Sequence, residues 1–398
     1  MAMSRWSLGG LRARPGSARL SSSAKMPLIR PSPMLWGSVA AQEVGGAGLD
    51  WANMSWDYIP TNGHVRHVWK DGKWDQGGFF RDPYMTVHIL ANVFHYGQAI
   101  FEGFKVFHTA DGEVCSFIDH LSLERMTRGC RRLHITPPTP EIWLSAVDEL
   151  VCKNVDFVPP YGTGGALYLR PFIFGSGPKL GLGPSKEYTF GILCNPVGNY
   201  YQTGQLQSLD AMISDEFDRA APKGAGDVKC AGNYAADLDS MFAAKQRGFP
   251  ISLYLDSKEG RYIEEFNTSN FVAITKDGTY LTPHAPRSIL RSNTNRVLMQ
   301  LASDMGIKVE ERAIDFDKEV DSFAEVGAVG TAVVMTPIRS VTRGERKHTF
   351  DEPNVLRKLY DKVKAVQIGD DEDLHGWRRS VPVGNAQTVT TKSIYPPL

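Results

Sequence analysis

The stretch GAGDVKCAGNY, residues 224–234, sets a single lysine, Lys229, between a glycine-rich approach and a compact Gly-Asn-Tyr turn. Three readings compete: a phosphate-gripping loop, an ordinary loop lysine, and an amine held still so that it can react. A reactive amine must lose its proton near neutral pH, so burial or nearby positive charge has to lower a pKa that starts at about 10.4. The stretch is not a phosphate loop of the GxxxxGK[ST] kind, because that spacing is missing. Glycine-flanked lysines are common, and on its own the stretch favours a loop lysine over a reactive one. The decision rests on what surrounds it.

The chain has 398 residues, 42% apolar and 22% charged, the balance of a soluble globular protein with a real core. Lys+Arg and Asp+Glu are both 44, which gives no clustered basic excess for nucleic acid. No window has the run of apolar residues that a membrane helix needs. The five cysteines are scattered, without CxxC or Cys/His ligand spacing, so neither zinc nor a disulfide framework is expected and no metal site is assigned. Residues 1–45 differ in kind. Arg5, Arg12, Arg14, Arg19 and Lys25 lie among many serines, with no acid before Glu43. That composition is expected of a mitochondrial targeting segment or of a basic disordered tail, with a cytoplasmic protein as the alternative to a mitochondrial one.

Outward from Lys229, HVWKDGKW reads as strand, Asp-Gly turn and strand. SLERMTRGCRRLHI is expected as a helix capped by Ser122, and TPEIWLSAVDELVCKNV as a second helix. GALYLRPFIFG and YTFGILCNPVG are strand-like. After a polar linker at 198–210, helices alternate with strands. The organisation expected is α+β, with a small domain at 52–197, a large one at 211–375 and a C-terminal tail at 376–398.

Several of these segments carry polar groups in apolar settings. LRSNTNRVLMQLA places Ser-Asn-Thr before a helix, where free N–H groups suit a phosphate or a simple N-cap. GAVGTAVV brings small residues and Thr331 to a strand–turn junction, equally consistent with a packed glycine turn. YIEEFNTSNF puts Glu264 and Glu265 on opposite faces of a strand, so one of them faces inward if the strand is half buried. YLRPFIFG embeds Arg170 in an apolar run, as a partly buried guanidinium or an edge-strand arginine.

A single lysine, a phosphate cup, an inward glutamate and aromatics together suit pyridoxal phosphate. The ordered blocks FHYGQAIFEGFKVF, LERM, YLRPFIFG, NPVGNYY, GAGDVKCAGNY, YIEEFNTSNF, SNTNRV and EVGAVGTAVVMTP resemble the branched-chain amino acid aminotransferases of fold type IV over about residues 55–375. The resemblance implies a two-domain fold with the active site at the domain interface. It also implies reversible amino transfer between leucine, isoleucine or valine and 2-oxoglutarate, in a homodimer. By the same resemblance Lys229 holds pyridoxal 5′-phosphate as a Schiff base and Glu265 meets its ring nitrogen. Arg125, Asn293, Thr294 and Thr331 hold the phosphate, and Tyr234 approaches the ring oxygen. Tyr96, Phe101, Tyr168, Arg170, Tyr200, Thr268 and Ala332 match substrate-pocket positions. The sequence departs from the pattern at Val333 and Thr336, where animal relatives carry a CxxC, and at Asn267, where a glycine is usual. The alternatives are a D-amino acid aminotransferase or an aminodeoxychorismate lyase of the same fold type, and a catalytically dead member serving as a cofactor-binding or scaffold protein.

Overall fold

The computed structural model describes residues 48–51, 54–198 and 206–383. The expected targeting segment 1–45, most of the linker 198–210, Tyr200 and the end of the tail lie outside the described residues.

The opening hairpin forms as its sequence dictates. His64–Lys70 pairs antiparallel with Lys73–Trp74, with Trp69 opposite Trp74. Asp71 and Gly72 take φ values of 52° and 82°, the left-handed pair that matches a two-residue turn to the twist of its strands. This hairpin edges a first sheet that continues through Glu187–Val197, Ala166–Gly175, Phe104–His108 and Val114–Phe117. The helix Pro140–Lys153 packs on it, capped by Thr139, whose side chain accepts from the Ile142 N–H at 3.3 Å. Its buried Trp143 lies against Phe104 and Phe190, and Val147 and Leu150 join the same core.

Two expectations are corrected here. The helix expected to start at Ser122 begins a turn earlier and spans Asp119–Arg132, which leaves Ser122 buried inside it. Ile118 precedes it with φ 54°, and its N–H donates to Trp377 O at 2.7 Å. That contact comes from far along the chain, so no local cap marked the start. The partner lies in the stretch expected to be tail. There Arg378–Ser380 adds a strand beside Val114–Phe117, Trp377 and Val381 are buried, and Arg379 pairs with Asp119 at 2.8 Å.

The second sheet runs Ile263–Phe266, Ile251–Leu255, Leu209–Ile213, Val334–Arg343, Phe323–Gly330 and Asn270–Thr275. Leu209–Ile213 is parallel to both neighbours. The last strand then meets the first, Glu265 opposite Asn270, so the strands close into a ring. The helices Asn293–Asp304 and Val355–Ile368 cover it through Leu298, Leu301, Leu359 and Val363. Phe107 and Phe117 of the first sheet share that core, so the two sheets are packed together through it. The mixture of sheets and helices is the α+β class.

Candidate active site

Lys229 sits just before the short helix Ala231–Ala236, tied to the first sheet by the Phe101 N–H donating to its carbonyl at 3.1 Å. Its amine donates to the Tyr234 hydroxyl at 2.9 Å and lies 4.8 Å above the Phe101 ring. The side chain keeps some contact with the cleft, yet surrounding protein and then the Arg125 guanidinium push its pKa down to about 8. Both are the causes that a reactive amine needs. A Cβ on Gly226 would stand 2.3 Å from Ser288 O, so this glycine lets the 285–290 loop approach Lys229 from behind.

That loop leads to the inward carboxylate. Glu265 Oε1 accepts from the Leu290 N–H at 3.0 Å and from Arg219 at 3.1 Å, and Oε2 from Asn270 at 3.2 Å. Burial pushes its carboxyl up to about 7, against the pull of the Arg219 guanidinium. The strand is covered on both faces rather than one, because Glu264 is buried too and takes the Ser288 hydroxyl on the opposite side.

Arg125 lies inside the helix Asp119–Arg132. Its Nε and Nη2 grip both oxygens of the fully buried Glu102 at 2.7 Å, and Nη1 donates to Arg291 O at 3.0 Å. It therefore fixes the start of the helix Asn293–Asp304. There Ser292 caps the Asn295 N–H at 3.0 Å. Among the described residues the N–H groups of Asn293 and Thr294 have no hydrogen-bond acceptor. Thr294 and Thr331 line one small cavity, and a Cβ on Gly330 would lie 3.9 Å from the carbonyl of Thr268.

The far wall is aromatic. Phe101 meets Tyr234 edge-on at 4.8 Å, and the Arg170 guanidinium stands 5.0 Å over Phe101 and donates to the Tyr168 hydroxyl at 3.2 Å. Tyr168 crosses Gly103 so closely that a Cβ there would meet its hydroxyl at 2.0 Å. Ala332 is exposed in the turn after Thr331. The structure links Lys229, Tyr234, Phe101, Arg170 and Tyr168 by direct contacts and brings Arg125 and Glu265 within electrostatic reach of the Lys229 amine. Tyr96 is exposed and bonds Leu180 O. Glu102, Arg219 and Asn270 are site residues that motif reading missed. Glu102 had a signal, a carboxylate directly after Phe101 in FEGF.

A half-buried amine of lowered basicity, a buried carboxylate within electrostatic reach of it, and unpaired helix-end donors are the parts of a cofactor-dependent group-transfer site. A family model for class IV aminotransferases matches residues 99–341, and the chain belongs to that family. It is 39% identical over 331 residues to the branched-chain-amino-acid aminotransferase of Helicobacter pylori, covering 83% of this chain and 97% of that protein. To branched-chain-amino-acid aminotransferase 2, chloroplastic, of Arabidopsis thaliana it is 39% identical over 337 residues, 83% of this chain and 85% of that one. Among solved structures, the branched-chain amino acid aminotransferase of Thermobaculum terrenum in its PLP-bound holo form shares the fold with a TM-score of 0.65 at 22% identity, over 81% of this chain and 99% of that one.

Proposed function

We propose that this chain is a pyridoxal phosphate-dependent transaminase that moves the amino group of L-leucine, L-isoleucine or L-valine to 2-oxoglutarate, giving branched-chain 2-oxo acids and L-glutamate. The observation that carries this reading is the Lys229 amine, lowered to about 8 and held 2.9 Å from Tyr234 in an aromatic cleft. The residues present fit the cofactor. The orphan N–H groups of Asn293 and Thr294 at a helix start, with the Thr294 and Thr331 hydroxyls, are donors suited to a phosphate. Glu265, buried with one cation beside it, suits a protonated ring nitrogen.

When bound, pyridoxal phosphate withdraws electrons from the substrate Cα and so makes its proton removable. The free Lys229 amine would take the proton from the substrate Cα and hold it for return. Tyr234 holds that amine in place between the two transfers. Glu265 would accept a hydrogen bond from the protonated ring nitrogen and so keep it protonated, with Arg219 fixing the carboxylate. Phe101 and Tyr168 offer apolar walls to branched side chains, while Arg170 offers a cation to the second carboxylate of glutamate.

Mixing purified protein, L-leucine and 2-oxoglutarate should yield glutamate and 4-methyl-2-oxopentanoate in equal amounts. Pyruvate released from aminodeoxychorismate, with no glutamate formed, would move the protein to the lyase reading. Because only the neutral amine attacks an aldehyde, cofactor uptake by the stripped protein should rise roughly tenfold per pH unit below pH 8 and level off above it. Stopped-flow absorbance at a series of pH values checks this.

A homodimer is supported by an exposed apolar patch of Tyr84, Ile89, Phe94, Tyr96, Leu180 and Leu182. Its two segments are joined by the Lys179 N–H donating to Leu90 O at 2.9 Å, and such a patch marks an interaction surface. Phe94→Asp with Leu182→Asp should shift the sedimentation coefficient from dimer to monomer. A mitochondrial address in residues 1–45 is part of this proposal, tested by fusing that segment to a reporter.

A further inference from the structure

We infer that a cavity lined by Glu264 and Arg291 is a second binding site, one that takes a free L-amino acid with an apolar side chain. The cavity measures about 280 Å³, near the roughly 300 Å³ at which small-molecule sites begin. It is separate from the cleft of Lys229. Successive residues of a strand point to opposite faces, so Glu264 lines this cavity while Glu265 turns the other way, to Arg219 and the Leu290 N–H. None of Lys229, Tyr234 or Arg125 lines it. The two places are neighbours all the same, because Leu290 and Asn270, which hold Glu265, form part of the cavity wall.

The charges on its wall select the ligand. Glu124 is held by Arg296 at 2.9 Å, and Glu311 has His284 at 3.7 Å. Glu264 and Arg291 are the two left over. Glu264 is 4% exposed; its Oε1 accepts the Ser288 hydroxyl, and among the described residues its Oε2 has no hydrogen-bond donor. The Arg219 guanidinium that pulls on it is paired with Glu265. Burial pushes the Glu264 carboxyl up to about 7, and a buried acceptor left unpaired is costly. An ammonium group would supply both the missing donor and the missing charge. Arg291 is exposed, and among the described residues its guanidinium has no acceptor, since only its carbonyl is used, by Arg125. A guanidinium so placed suits a carboxylate. The wall also carries Phe271, Pro283, Ile289 and Met299. An acid for the amine, a cation for the carboxylate and apolar surface for the side chain are together what an apolar amino acid needs.

Equilibrium dialysis of radiolabelled L-leucine against borohydride-reduced holoenzyme tests the site, because the reduced cofactor adduct on Lys229 no longer exchanges with an amine. Saturable binding of close to one leucine per protomer is expected. Glu264→Gln and Arg291→Met should each weaken it by about 10- to 100-fold, since each removes one charge-assisted contact. Cofactor absorbance per protomer should be unchanged in both. Unlabelled isoleucine should displace the label. Leucinamide, which lacks the carboxylate, and N-acetylleucine, which lacks the ammonium, should not. No saturable binding, binding left unchanged by either substitution, or displacement by leucinamide or N-acetylleucine overturns the inference. Should Glu264→Gln not fold, Arg291→Met, whose side chain is exposed, carries the comparison with the same overturning result. The site does not depend on the transaminase reading: holoenzyme that binds this leucine without transaminating it would overturn that reading and leave the site standing.

Discussion

Lys229→Ala protein is expected to fold, to carry no covalently held cofactor, and to lose transamination by about ten-thousand-fold or more, since nucleophile and proton carrier are removed together. Folding should survive. Among the described residues the amine's one hydrogen bond is to Tyr234, and the backbone tie of residue 229 to Phe101 does not involve the side chain. The cofactor's phosphate donors and Glu265 remain, so weak non-covalent binding should persist. Visible absorbance should then match the free aldehyde rather than the lysine adduct. Dialysis followed by absorbance and a leucine assay measures both effects. Retained turnover in the alanine variant would remove Lys229 from the chemistry.

Glu265→Gln gives the second large effect. The amide keeps the shape and still accepts from Leu290 N–H and Arg219, so folding should be little changed, but the negative charge opposite the ring nitrogen is gone. Removing one preorganised electrostatic partner typically costs about 100- to 1,000-fold in rate, and kcat should fall by that much with the cofactor still bound through Lys229. Glu265→Ala is expected to behave differently. It leaves the Arg219 guanidinium buried without its counter-charge, and breaking such a pair costs about 3–5 kcal/mol of stability. Thermal melts of the two variants beside their rates separate the charge effect from the packing effect.

Much of the site was legible because its residues sit in short local patterns: Lys229 with Tyr234, Phe101 in FEG, Tyr168 with Arg170, Glu265 in EEF. Taken singly these patterns were ambiguous, and their order along the chain resolved them. What was not legible depends on contacts between distant segments. Nothing around Arg125 announces that Glu102 holds its guanidinium, nor around Arg219 that it faces Glu265. Lys105 looks like a strand lysine until the Ala332 carbonyl arrives 2.6 Å from its amine. The fold divides the same way. The Asp71-Gly72 hairpin is written in its turn residues, whereas the Glu265–Asn270 pairing that closes the ring has no local mark. Ile118 in a left-handed conformation and the strand Arg378–Ser380 explain each other, and neither periodicity nor capping rules reach across that separation. Gly226 makes room for Ser288 and Gly103 for Tyr168, close approaches that no local pattern announces.

Among the described residues three lysines have amines lowered by burial: Lys229 and Lys364 to about 8 and Lys105 to about 7. Basicity alone therefore does not choose among them. Geometry does, since only Lys229 stands beside Tyr234 and within electrostatic reach of Glu265. Borohydride reduction of the cofactor-loaded protein, followed by proteolysis and mass spectrometry, tests that choice directly. A phosphopyridoxyl group on the peptide containing Lys229, at close to one per protomer and on no other lysine, is the predicted result; the group on Lys105 or Lys364, or on no lysine at all, would contradict the account.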